Sequence, residues 1–121
     1  MKYKLICFLF CALISGLATA GDATNTMASV LVGMNHFPSA ADKEKLAVIV
    51  ADENSTADDK QLAEIMSRIA HKANDDDRMA LEVLLAREDV QQASRTIAQA
   101  ILGMNHKPKS EDIAALKLIA G

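Results

Sequence analysis

Apolar residues along this chain recur at helical spacing, and the pattern itself then recurs every 35 residues. Met27, Val30, Leu31 and Met34 stand at i, i+3, i+4 and i+7, the stripe that turns one face of an α-helix toward a core. Leu62, Ile65, Met66 and Ile69 repeat it. After each stripe comes a short break, marked by Pro38 and Pro108 in the outer copies, and in the first copy Leu46, Ile49 and Val50 then resume the helical spacing. Each unit is therefore a helical hairpin. The predicted fold is all-α: three tandem 35-residue hairpins, six helices, packed as a compact right-handed array or bundle.

The repeat is sharpest around Gly33-Met34-Asn35-His36-Phe37-Pro38, which returns as Gly103-Met104-Asn105-His106-Lys107-Pro108, with a degraded copy, Arg68-Ile69-Ala70-His71-Lys72-Ala73, midway. Laid together without a gap, residues 27–50, 62–85 and 97–120 share four invariant columns: Ala28/Ala63/Ala98, His36/His71/His106, Asp42/Asp77/Asp112 and Leu46/Leu81/Leu116. Other columns stay apolar, among them Met27/Leu62/Ile97, Leu31/Met66/Ile101, Met34/Ile69/Met104, Val48/Val83/Leu118 and Ile49/Leu84/Ile119. The small alanine column predicts a neighbouring helix passing close by.

Helix start signals agree with this division. Thr56-Ala57-Asp58-Asp59 has the form of a capping box, and Asp89 followed by Gln92 is a similar arrangement for the third unit. Ser39, Asn74 and Ser110 are the expected caps of the second helices, and the first two place the invariant aspartate at the third helical position, where the positive end of the helix dipole favours a carboxylate. The first helix is expected to start near Asp22. The units then run over about residues 22–56, 57–91 and 92–121. In period and helix count alone they resemble tetratricopeptide arrays. The bulky aromatics of that pattern are replaced here by alanine, leucine and isoleucine, so no family is assigned.

Residues 1–20 read as a signal peptide. Lys2 and Lys4 precede an uncharged apolar run from Leu5 to Leu17, and Ala18-Thr19-Ala20 fits the small-x-small rule for cleavage. The run is short of the roughly 20 residues that span a bilayer, so a periplasmic or secreted protein is expected, without a membrane anchor after removal of the leader. Both cysteines, Cys7 and Cys11, leave with it, and the remaining single domain of 21–121 must hold its core without disulfides. Loss of Lys2 and Lys4 leaves 11 basic against 16 acidic residues, a net charge of about −5. That balance argues against nucleic acid and anionic membranes as partners. Phe37 is the one aromatic residue beyond the leader, which excludes stacking sites for bases or sugars.

Three identically placed histidines, His36, His71 and His106, raise the question of a zinc, copper or nickel site. In a linear stack, neighbouring helices stand about 8–10 Å apart, too far for equivalent residues to share an ion, and only a closed, threefold-like arrangement would bring them together. The reading taken from the sequence is that no metal is held and that each histidine ends the first helix of its hairpin, its ring bonding a terminal carbonyl. Asp75-Asp76-Asp77 reads as a solvated helix start. Asp52-Glu53-Asn54-Ser55-Thr56 fails as a calcium loop, with Ala57 and Ala63 where glycine and glutamate are required.

The sequence beyond the leader contains no nucleophilic cysteine, phosphate-binding glycine loop or serine elbow. The expected function is that of a non-catalytic binding or interaction protein (inhibitor, immunity-like protein, adaptor or small chaperone) needing no cofactor. Its partner would be another protein or a second copy of itself. The last helix carries the candidate contact residues, Ile113, Leu116, Leu118 and Ile119, because few polar residues follow its first turn. The alternative is a histidine-based metal-binding or acid-sensing envelope protein.

Overall fold

The computed structural model describes the backbone of residues 12–121 and the side chains from Gly21 onward. The lysines, the cysteines and the start of the apolar run in the predicted leader lie outside the described residues. Among the described residues six helices follow one another: α1 (Ala12–Gly33), α2 (Ala40–Ala51), α3 (Ala57–Ser67), α4 (Asp75–Ala86), α5 (Gln92–Gly103) and α6 (Ser110–Ala120). They form the three hairpins α1–α2, α3–α4 and α5–α6 that the repeat predicts. No helix among the described residues is long and apolar enough to cross a membrane.

Local chemistry sets most of the boundaries. Ser39 and Thr56 each close a reciprocal capping box, with Asp42 and Asp59 as the returning carboxylates, so donors left over at the helix start are satisfied from both sides. Asn74 accepts from the Asp77 amide at 2.8 Å. Asp42, Asp77 and Asp112 all fall at the third position of their helices. The third unit departs from expectation at both starts. Gln91 rather than Asp89 precedes α5, without a side-chain cap, because Asp89 is drawn to the Arg87 guanidinium at 3.0 Å. Lys109 precedes α6, again uncapped, and Ser110 is already helical. At the other end of the array the described part of α1 already includes residues 12–20, ahead of the start near Asp22 that the sequence suggests, since alanine, leucine and isoleucine favour the helix and no proline interrupts it.

Packing is circular. The first helices of the units, α1, α3 and α5, touch one another pairwise at the centre, and each second helix lies along the first helix of the next unit: α2 along α3, α4 along α5, α6 along α1. The last contact closes the ring. Met27, Leu62, Ile97, Leu31, Met66 and Ile101 fill the middle with essentially no solvent exposure. Ala28, Ala63 and Ala98 are likewise sealed, the small side chains that a close helix approach requires. Leu46, Leu81 and Leu116 bring one fully buried residue from each outer helix. The column Val48/Val83/Leu118 behaves otherwise: apolar in every unit, it is exposed in every unit, and Leu118 is 86% exposed.

Candidate metal centre

Each first helix ends before its histidine. The amides of Met34, Ile69 and Met104 donate back to the carbonyls of Leu31, Met66 and Ile101, so the main chain itself closes the last turn. The histidine then lies beyond the helix, in a conformation L-residues rarely take. Among the described residues the non-glycine positions with positive φ are His36 at 76°, His71 at 70° and His106 at 71°. Such left-handed residues cost of order 1–3 kcal/mol each and persist only where their surroundings hold them.

What holds them is a ring of hydrogen bonds. The His71 amide donates to the His36 carbonyl at 2.5 Å, the His106 amide to the His71 carbonyl at 2.7 Å, and the His36 amide to the His106 carbonyl at 2.5 Å. Each bond joins one unit to another, and the third returns from the last unit to the first. Closure of the six-helix ring thus places the three loops head to tail about a common axis.

The imidazoles follow their backbone to the same axis. Their ring centroids are 4.8–5.0 Å apart in every pair, edge to face. The Nδ1 atoms of His71 and His106 are 2.9 Å apart. One candidate nitrogen from each ring can be chosen so that all three lie within 4.8 Å of one another. Three nitrogens bound to one tetrahedral zinc at 2.0–2.1 Å stand about 3.4 Å apart in every pair, so the rings must turn to close the widest separation onto a common ion. The linear stacking used to separate the histidines does not hold, since the repeat closes into a ring. His71 and His106 are exposed and His36 is half-buried.

The surroundings of this pole are polar and largely paired. Arg68 grips the buried Asp77 carboxylate with two bonds of 2.7 and 2.9 Å, which together with the ionic attraction holds the guanidinium proton more tightly than usual. Units 1 and 3 have glycine where unit 2 has Arg68. In unit 3 that glycine makes room for the carboxylate, for a Cβ on Gly103 would lie 3.2 Å from the Asp112 side chain. Burial and the neighbouring Glu111 raise the Asp112 carboxyl, partly opposed by Lys109. Arg78 caps the end of α5 by donating to the Leu102 carbonyl at 3.1 Å. The residues that follow the histidines, Phe37, Lys72 and Lys107, are all exposed. The two lysines were not singled out from the sequence, although their place in the repeat marked them.

The four contact residues proposed for α6 do not share one surface. Leu116 is sealed in the core, Ile113 and Ile119 are half-buried, and Leu118 alone points freely to solvent. The alignment of α6 with α1 covers much of what the helix's composition left apolar. Asp52 ends α2 and accepts the Asn54 amide at 2.9 Å, a turn rather than a cation loop. No protein-family model, curated protein or solved structure matches the chain.

Proposed function

We propose that this protein is an exported, non-catalytic metal-binding protein that holds one transition-metal ion between His36, His71 and His106. The observation that carries the reading is the coincidence of backbone and side chain at these positions. Three identical residues, each in a costly left-handed conformation, are locked by a cyclic set of hydrogen bonds that points three imidazoles at one axis. A core needs no histidine there. Glycine would take the same backbone angle without strain, so selection of the ring system favours a role for its nitrogens. Imidazole ligands suit zinc, copper and nickel. An ion bound to all three would tie the hairpins together and make loading sensitive to acid, since imidazole ligates as the neutral base.

Calorimetric titration of the metal-free protein with zinc, copper and nickel tests this. One saturable site per chain is expected, together with a stabilisation of about 2.7 kcal/mol at a free metal concentration 100 times the dissociation constant. The His71→Ala variant should lose both. A folded wild type that binds none of the three ions would end the metal reading.

The exposed apolar column favours a second role as an interaction module. Val48, Val83 and Leu118 place an exposed apolar side chain on each outer helix, joined on α4 by Met79, the type of surface that supports association with another protein or with a second copy. Light scattering on the wild type and on Leu118→Glu tests self-association, and a monomeric wild type would exclude the homodimer.

A further inference from the structure

The first hairpin holds a cleft of about 350 Å³ between α1 and the last turns of α2, at the end of α2 away from the histidine loop. Clefts that take small ligands begin at about 300 Å³. Val48 and Ile49 supply apolar wall, and Asp22, Lys45, Asp52 and Ser55 contribute to its polar lining.

The second hairpin shows what normally fills this corner. There the Arg87 guanidinium spans from the end of α4 to the start of α3, donating to Asp58 at 3.0 and 3.1 Å and to Asp89 at 3.0 Å. A shift of 35 residues puts Ala23 in place of Asp58, Asp52 in place of Arg87 and Ser55 in place of Val90. The first hairpin thus lacks both the bridging cation and its principal acceptor, and presents a carboxylate where the second has a guanidinium. Val90 and Ser55 are buried alike, at 6% and 8% exposure, yet one is apolar and the other carries a hydroxyl. The Ser55 amide donates to the Asp52 carbonyl at 3.1 Å, while its hydroxyl has no partner among the described residues. A buried hydroxyl is unfavourable unless something bonds it, and one that lines a cleft is a fixed anchor for a polar ligand.

Charge selects that ligand. The lining carries two carboxylates, Asp22 and Asp52, and one ammonium, Lys45, and none of the three forms an ion pair among the described residues. The complementary molecule has two cationic groups, one anionic group and an aliphatic stem to lie on Val48 and Ile49. A basic amino acid has that set in its α-ammonium, its side-chain cation and its carboxylate. We propose that this cleft binds a free basic amino acid, with its cationic groups at Asp22 and Asp52, its carboxylate at Lys45 and a hydrogen bond to the Ser55 hydroxyl. The proposal stands apart from the metal centre and does not rest on it.

Calorimetric titration of the metal-free full chain with L-arginine and L-lysine tests it, with agmatine, which lacks the carboxylate, and norvaline, which lacks the side-chain cation, as comparisons. Saturable binding of at least one basic amino acid is expected, with both comparison compounds at least about tenfold weaker. Asp52→Asn keeps an oxygen for the Asn54 amide, and Ser55→Val installs the residue that the second hairpin buries at the same place, so both variants should retain their helical circular dichroism. Each should weaken binding about tenfold. Protein saturated by neither amino acid overturns the proposal. So does agmatine or norvaline bound as tightly as the basic amino acid, a comparison that needs no variant to fold. Folded variants that bind as tightly as the wild type place the ligand elsewhere and overturn it equally. His36, His71 and His106 are untouched throughout, so each of these outcomes leaves the metal reading as it was.

Discussion

The Nδ1 atoms of His71 and His106 approach to 2.9 Å across 35 residues of intervening chain, and the same two residues are joined through their backbones by the His106 amide and the His71 carbonyl. A main-chain bond and a side-chain contact between one pair of residues leave the rings little freedom. At that separation one nitrogen carries a proton and the other accepts it, an arrangement that an ion of suitable size can replace.

Replacement of His71 by glycine separates backbone strain from ligand chemistry. Glycine accepts the 70° φ of this position without the steric penalty, so metal-free His71→Gly should be as stable as the wild type or more stable by up to about 1 kcal/mol. Its affinity for metal should fall sharply. Chemical denaturation without metal, followed by calorimetry with zinc, reads the two effects separately. Large destabilisation of the metal-free variant would show that the rings themselves hold the ring of helices closed.

Close packing at the axis makes a clear demand on Ala63, which is fully sealed on the central helix α3. Ala63→Leu should destabilise by about 1–3 kcal/mol through overpacking. In the invariant leucine column, Leu81→Ala should cost about 2–5 kcal/mol through the cavity it opens. Urea midpoints unchanged by both substitutions would contradict the packing described.

Arg68 has one principal task, to neutralise and bond the Asp77 carboxylate, which is far less exposed than its partner. Arg68→Ala leaves that acceptor unsatisfied and should cost about 1–3 kcal/mol. Adding Asp77→Asn should recover part of the loss, because the remaining group is no longer a charge. Equal stability of the single variant and the wild type, measured by thermal denaturation, would mean that solvent replaces the arginine.

Asp59 supplies a pH test. Burial raises its carboxyl above the ordinary value of 3.8, with Asp58 adding to the effect and bonds from Thr56 opposing it. The folded state therefore holds this proton more tightly than the unfolded chain, and the ionised group destabilises the fold at neutral pH. That penalty vanishes as the pH falls through the folded pKa toward 3.8. Asp59→Asn keeps an oxygen for the Thr56 amide and should be more stable than wild type near neutrality, with the advantage shrinking on acidification. Urea midpoints compared at neutral and mildly acidic pH check the sign, and an advantage that grows in acid would reverse the assignment.

Leu118, at 86% exposure, should tolerate a charge. Leu118→Glu is expected to keep its helical circular dichroism and to change stability by no more than about 0.5 kcal/mol. Unfolding of this variant would place Leu118 in a contact essential to the monomer.

The amino-acid sequence by itself determined the units and most of their edges. A stripe at i, i+3, i+4 and i+7 needs only one helix to be read, and Ser39, Thr56 and Asn74 act on amides three residues away, so these features are local. The uncapped starts of α5 and α6 depart from the local signals because Asp89 has a stronger partner in Arg87 and because Ser110 enters the helix as readily as it caps one. Closure belonged to the tertiary structure. A 35-residue period is the same in an open stack and in a ring, and the difference lies in the contact of the last helix, α6, with the first, α1. The separation of His36, His71 and His106 depends on that closure. Their repetition was visible in the sequence, but their meeting required α6 to lie against α1 and each histidine to take a left-handed turn that no hydrophobic pattern encodes.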